Sequence, residues 1–272
     1  ASGFLASNFI NKYKKKYQII SSIKSKVKSK NKLFKGTKII NENILDKKIN
    51  LYSDDTVDFA IYSIALGSKE SNENKHLSYK INYGGIKKFC KIIKKNKIKR
   101  IIKISTIKVY GNSPNIKITE RVRANPKDNY ASHIYKADQY LKEFCIKNNV
   151  KYFILRVANG FGLPLINSKE TERILLNNFV KQALKNRKIK INSEIDLYKD
   201  FVSINNIIDA IDFIINKKNL TEGLYLFSNK FSQKLSQITK KIKIIYLKKF
   251  KKEIKILSKF KDKKSKTKFK IS

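Results

Sequence analysis

The sequence predicts an α/β fold: a doubly wound parallel sheet over about the first 160 residues, followed by a smaller mixed part. Two observations carry this reading. Short runs rich in Ile, Val, Phe and Tyr alternate with stretches of helical period, which is the pattern of parallel βαβ units. The 272-residue chain is long enough for one large domain, or a large and a small one. At 41% hydrophobic and 11% aromatic it is too apolar for wholesale disorder.

In order along the chain, Phe9, Ile10 and Tyr13 stand at helical spacing within residues 7–16. The apolar runs 17–21 and 58–65 read as strands. Residues 77–95 read as a helix interrupted at Gly84 and Gly85, and 100–105 as a third strand. Residues 129–147 form a long amphipathic helix with Ile134, Tyr135, Leu141, Phe144 and Cys145 on its apolar side, and 152–157 a fourth strand. Further on, 172–185 and 205–216 read as helices and 223–227 as a strand. Almost half of residues 240–272 are Lys, interleaved with Ile, Leu and Phe. That stretch reads as a solvated, weakly structured end; the alternative is a segment that meets a membrane surface or nucleic acid. The expected division is 1–158 and 159–272, with both ends of the chain clipped.

The formal net charge of +41 points first to a polyanionic partner. Its make-up argues otherwise. Of the 62 basic residues only 6 are Arg, the residue that groove readers use for bidentate contacts. The lysines are spread over the whole length, as a compositional bias acting on tolerant surface positions would spread them, whereas a binding patch would be local. No apolar run reaches the roughly 20 residues that span a bilayer, and no signal peptide is visible. The only cysteines, Cys90 and Cys145, exclude a disulfide framework and predict a reducing, cytoplasmic setting. With 2 His the chain has too few ligands for a zinc site, so no metal is expected. It has 0 Met and begins inside a motif, so an internal fragment is expected, with the strand before Gly3 missing.

That motif is Ser2-Gly3-Phe4-Leu5-Ala6-Ser7, which opens a helix. Glycine there lets backbone amides approach a pyrophosphate at a helix N-terminus. Here the chain begins to resemble the extended short-chain dehydrogenase/reductases, the NAD-dependent epimerases and dehydratases of nucleotide sugars, whose phosphate loop ends Gly-Phe-Ile-Gly-Ser. Further matches follow in the same order. Residues 58–65 resemble the strand ending His-x-Ala-Ala, with Tyr62 at the His position. Tyr79-Lys80-Ile81-Asn82-Tyr83-Gly84-Gly85 resembles Tyr-x-x-Asn-Val-x-Gly-Thr. Ser105-Thr106-Ile107-Lys108-Val109-Tyr110-Gly111 resembles Ser-Ser/Thr-x-x-Val-Tyr-Gly. Residues 155–164 resemble Leu-Arg-x-x-Asn-x-Tyr-Gly-x-Pro, and 199–207 resemble Arg-Asp-Phe-Val-x-Val-x-Asp-Val. Gly223-Leu224-Tyr225-Leu226-Phe227-Ser228 sits where the family has Gly-x-Tyr-Asn-x-Gly.

The resemblance implies a Rossmann domain that binds NAD or NADP through Gly3, Phe4, Leu5, Ser22, Ala65, Asn82 and Ser105. It also implies a small substrate domain with Asn159, Asn177 and Lys199 on a nucleotide-sugar, and a homodimer. The family's chemistry oxidises a sugar hydroxyl transiently, with a Tyr phenolate taking the proton and a Ser or Thr hydroxyl orienting the same oxygen. A phenol pKa near 10 falls beside an ammonium, which is why the family carries Tyr-x-x-x-Lys on one helix face. Thr106 and Tyr130 take these roles here. The lysine is absent: Ile134 stands four residues after Tyr130, His133 three after and Lys136 six after. His133 is the candidate substitute, with a reference pKa of roughly 6.5.

Two substitutions narrow the reaction. The family's dehydratases carry Asp-Glu after the Thr, and here Ile107-Lys108 cannot act as that couple, so epimerisation or reduction is expected. At the end of the second strand Ser21-Ser22-Ile23-Lys24 replaces the Asp that binds the ribose hydroxyls, which admits NADP. Two other readings stand beside the enzyme: a cofactor-binding module that has lost catalysis, and a basic nucleic-acid-binding protein.

Overall fold

The expected parallel sheet is present, and it is split in two. The computed structural model describes residues 1–24, 30–46, 56–111, 117–260 and 270–271. Helix α1 (Phe4–Tyr13) leads to strands β1 (Ile20–Ser22), β2 (Lys38–Ile40) and β3 (Ala60–Tyr62). Helix α2 (Gly84–Lys95), strand β4 (Arg100–Thr106), helix α3 (Asn129–Lys147) and strand β5 (Lys151–Val157) follow. Strands β9 (Gly223–Phe227), β5, β4 and β3 form one parallel sheet in that order, numbered so that β6 to β8 precede β9 in the chain. Strands β1 and β2 form a separate parallel pair. Among the described residues no strand precedes α1, and β1 and β3 together line a cavity of about 460 Å³ with Leu5 and Phe9 of α1.

Strands β1 and β3 are shorter than the apolar runs that encode them, because each has a three-residue ladder with one hydrogen-bonded neighbour among the described residues. Helix α1 begins three residues earlier than its apolar spacing suggests, with Gly3 extended at its N-cap. The interruption expected near Gly84 is a π-helical turn over Tyr79–Tyr83. It ends where α2 begins to pack on β3. A Cβ at Gly85 would lie 2.5 Å from the Tyr62 hydroxyl, so only glycine lets helix and strand come that close.

The two-residue period of the strands sorts the core. Ile102 of β4 with Phe153, Leu155 and Val157 of β5 face one side, against Phe9 of α1 and Ile207, Ile208 and Ile211 of α5 (Ile204–Asn216). Ile101 of β4 with Tyr152 and Ile154 of β5 face the other, against Ile86 and Ile93 of α2 and Leu141 and Cys145 of α3. Lys103, Ser105 and Arg156 lie on this second side as well, beneath α3.

Past residue 158 the chain crosses between two units. Strand β6 (Asn159–Phe161) pairs in parallel with β8 (Phe201–Ser203), and α5 and β9 return to the main sheet. Helix α4 (Leu175–Asn186), strand β7 (Lys188–Ile191), helix α6 (Leu235–Phe250) and strand β10 (Lys255–Ser258) build a smaller body. Its core is Phe179, Ala183, Ile189, Ile191, Leu235, Tyr246 and Ile254. The weakly structured end expected from the lysine content is therefore corrected over residues 240–258, most of which lie in α6 and β10. Leu235, Ile238, Tyr246 and Ile254 supply a buried stripe, and the lysines between them point outward. Residues 261–269 and 272 of that stretch lie outside the described residues. Among the described residues no helix is long and apolar enough to cross a membrane.

Candidate active site

Strand β4 ends at Thr106, which is extended, and the chain then tightens into a 3-10 turn over Ile107–Tyr110. The turn buries Ile107, Val109 and Tyr110 and leaves Lys108 exposed. Gly111 closes it at φ 67, where a Cβ would meet the Asn125 carbonyl oxygen at 2.4 Å. Helix α3 starts beside this turn. Asp128 caps it, its Oδ1 accepting from the Ala131 amide at 2.7 Å, and this sets Tyr130 in the first turn of the helix.

Thr106 and Tyr130 are brought together, with the Thr106 side chain within hydrogen-bonding reach of the phenol. Burial pushes the phenol pKa up to about 12, and the charges of Asp128 and Asp138 add to the rise, while the Thr106 bond opposes it. The Lys108 ammonium stands 5.5 Å from the centroid of the Tyr130 ring. Although the side chain is exposed, the surrounding atoms partly desolvate its ammonium and lower its pKa, an effect that Asp128 partly offsets. Lys199 lies near enough for the Lys108 charge to act with burial in lowering its pKa too.

His133 and Ile134 face away from this cluster. The Nδ1 of His133 is 2.8 Å from the Ser78 hydroxyl, and its ring meets the Tyr79 ring edge-on. Burial lowers its pKa, and Lys136 and Lys75 lower it further, so the imidazole is neutral near pH 7. Ile134 packs in the core with Ile102 and Phe153.

A buried charge cluster lies under the site. Asp138, two turns after Tyr130, accepts from Lys103 Nζ at 2.6 Å on Oδ1, and from Ser105 Oγ at 2.8 Å and Arg156 Nε at 3.2 Å on Oδ2. Strand register places Ser105 opposite Arg156, which is why both reach one carboxylate. The Ser105 hydroxyl, expected on the cofactor, is directed to Asp138. The sequence reading did not single out Lys103; the signal was its place two residues from Ser105, on the same face of β4.

On the cofactor side, a Cβ at Gly3 would meet nothing within 4 Å, so the first turn of α1, with Phe4 and Leu5, opens on free space. Ser22 ends β1, and the buried Oγ of Ser21 beside it has no hydrogen-bond partner among the described residues. Ala65 is exposed in the loop after β3. Asn82 fixes that loop: its Oδ1 accepts from the Leu66 amide at 2.6 Å, and its Nδ2 donates to the Leu66 carbonyl, Ser71 and Ser78. An open helix N-terminus, a free hydroxyl at a strand end and a pinned loop fit a dinucleotide.

Among the residues expected to meet substrate, Asn159 Nδ2 donates to the Asp200 carbonyl at 2.8 Å. Asn177 Oδ1 accepts from the Gly162 amide at 3.1 Å, while its buried Nδ2 has no partner among the described residues. Asp200 is framework, as its position in the sequence suggests. It is buried and accepts from the Asn229 and Phe231 amides at 2.9 and 3.1 Å.

The profile described as "NAD dependent epimerase/dehydratase family" matches residues 1–225. A protein of Methanocaldococcus jannaschii named "Putative UDP-glucose 4-epimerase" is 26% identical over 225 residues, 80% of this chain and 72% of that protein. A dTDP-D-glucose 4,6-dehydratase of Dictyostelium discoideum is 23% identical over 78% of this chain and 49% of its own length. Among solved structures, a UDP-glucose 4-epimerase of Thermotoga maritima with UDP-glucose superposes with a TM-score of 0.84 at 20% identity. It covers 100% of this chain and 87% of that one.

Proposed function

Because this chain belongs to the NAD dependent epimerase/dehydratase family, we propose that it uses NAD or NADP to epimerise or reduce a nucleotide-activated sugar. The observation that carries the reading is the juxtaposition of Thr106 and Tyr130 at the carboxyl end of β4, where open α/β sheets bind their ligands. The nicotinamide cofactor, when bound, supplies a hydride acceptor and donor.

The residues of this chain do the rest. The first-turn amides of α1 after Gly3, with Phe4 and Leu5, hold the pyrophosphate. Ser22 serves the ribose, and Asn82 keeps the loop around Ala65 in place through the Leu66 backbone. Thr106 orients the sugar hydroxyl, and Tyr130 takes its proton and returns it. Asn177 offers its unpaired Nδ2 to the nucleotide-sugar, Lys199 offers positive charge to its phosphates, and Asn159 secures the Asp200 turn beside them. Ser105 supports this arrangement through Asp138 rather than by direct contact. Ile107 and Lys108 provide no carboxylate pair, which favours epimerisation or reduction over loss of water. His133, neutral and bound to Ser78, helps fix α3 against the Tyr79 turn.

A second reading, a module that binds cofactor without turnover, is favoured by Ile134. It is only 3% exposed and occupies the helix position where the family carries its lysine. The two readings are separated by incubating the protein with NAD or NADP and a panel of UDP- and dTDP-sugars, and following products by proton NMR. An epimer or a reduced sugar, lost in Tyr130→Phe, supports the enzyme. A keto-deoxy product would show dehydration, and cofactor binding without conversion would favour the module.

A further inference from the structure

We propose that Lys108 and Tyr130 form one acid–base pair, in which the Lys108 ammonium on the turn after β4 supplies the charge that α3 lacks at Ile134. The proposal rests on the reading of Tyr130 as the proton acceptor. Lys108 acts through Tyr130 and is therefore a positioning residue.

Three contacts tie the pair together. The Lys108 ammonium is 5.5 Å from the Tyr130 ring centroid. The Lys108 backbone amide donates to Thr106 Oγ1 at 3.3 Å, and the Thr106 side chain lies within hydrogen-bonding reach of the phenol. The turn holds Lys108 in place because its other residues, Ile107, Val109 and Tyr110, are buried. The alternatives on α3 are removed: Ile134 is in the core, and His133 is bound to Ser78.

The groups that face the pair are Asp128 at the start of α3, Asp138 two turns on, Thr106 on β4 and Lys199 before β8. Desolvation lowers the ammonium's pKa and burial raises the phenol's, and the proposed coupling acts across the 5.5 Å between ammonium and ring. After one proton has left, the pair exists as phenol with amine or as phenolate with ammonium. In the second form the O–H bond of the sugar breaks and the O–H bond of Tyr130 forms. The reverse transfer restores both.

The direct test compares Lys108→Arg, whose charge is permanent, with Lys108→Met, which has none. Phenol ionisation is read by ultraviolet difference spectroscopy, each protein against the same protein carrying Tyr130→Phe. The phenol should ionise about one pH unit or more lower in Lys108→Arg. Equal ionisation in the two overturns the proposal. This readout needs no substrate, so it stands even if the protein turns over no sugar and the enzyme reading fails. Given a substrate, Lys108→Met should lower kcat by ~10-fold or more and move the pH profile of kcat, with KM little changed. An unchanged kcat and pH profile in Lys108→Met also overturns it.

Discussion

Lys103 Nζ lies 2.6 Å from Asp138 Oδ1, and both side chains are only 1% exposed. Arg156 reaches the other oxygen, so two buried cations share one carboxylate. Removing the carboxylate strands both, and Asp138→Ala is expected to cost about 3–5 kcal/mol. Lys103→Met should behave differently. It removes the surplus charge and fills the same volume, and Asp138 keeps Arg156 and Ser105. A stability change within about 1 kcal/mol is expected for it, because replacing a buried ion by a well-packed apolar group is often neutral. Urea denaturation of the two variants checks this. A larger loss for Lys103→Met than for Asp138→Ala would reverse the assignment.

His133 gives a pH dependence with a definite sign. Its folded pKa is lowered below the ordinary 6.5, by burial first and then by Lys136 and Lys75. The unfolded chain therefore binds a proton that the folded chain refuses. Stability from this residue is fully present above an unfolded pKa near 6.5 and is lost as pH falls from there through the lowered folded value. Urea midpoints for the wild type should drop across that window. His133→Asn, which titrates nothing, should flatten that part of the curve, and an unchanged slope would assign it to other groups.

Much of this was legible in the residues, and the failures have identifiable causes. Residues 129–147 show a clear helical period, and the helix Asn129–Lys147 matches it end to end. Strand Gly223–Phe227 is likewise as read. The main sheet's middle was legible because β4 and β5 carry apolar residues on both faces despite Lys103, Ser105 and Arg156, whereas β1 and β3 are bounded by ladder length, which depends on a partner. At the site, Thr106 and Tyr130 were readable from motif spacing, and the structure brings them together. Lys103 and Lys108 were hidden by their own kind. A uniform lysine excess makes each lysine look like surface, and only strand alternation and the turn after β4 set these two apart. The helical end at Leu235–Phe250 was obscured in the same way, its buried Leu235, Ile238 and Tyr246 being outnumbered by the lysines around them.

Asn82 is expected to matter for cofactor affinity without touching the reacting atoms. Its side chain holds the Leu66 amide and carbonyl and two buried hydroxyls, Ser71 and Ser78. Asn82→Ala leaves the Leu66 amide unpaired, since Ser78 keeps His133 and Ser71 keeps the Leu66 carbonyl, at a cost of about 1–3 kcal/mol. It also loosens the loop after β3, which the proposed function sets beside the dinucleotide. NAD affinity by fluorescence should fall by ~10-fold, a loss in line with a missing buried hydrogen-bonding partner. Full affinity in a destabilised protein would confine Asn82 to the fold.

Asn177 separates structure from recognition within one side chain. Its Oδ1 accepts from the Gly162 amide at 3.1 Å, and its buried Nδ2 has no partner among the described residues. A buried donor left unpaired is costly, and such a group commonly awaits a ligand. Asn177→Asp keeps the acceptor for Gly162 and replaces only the donor. The carboxylate oxygen that takes the place of the buried Nδ2 has no donor facing it among the described residues, so the melting temperature should fall modestly, and affinity is compared below the melting transition. If Nδ2 meets the nucleotide-sugar, affinity for a UDP-sugar by calorimetry should fall by ~10-fold or more, because an acceptor then faces an acceptor. Equal affinity in the two proteins would show that the donor points at something other than the substrate. Asn177→Ala extends the comparison: it loses both the Gly162 bond and the donor, so it should lose stability as well as affinity.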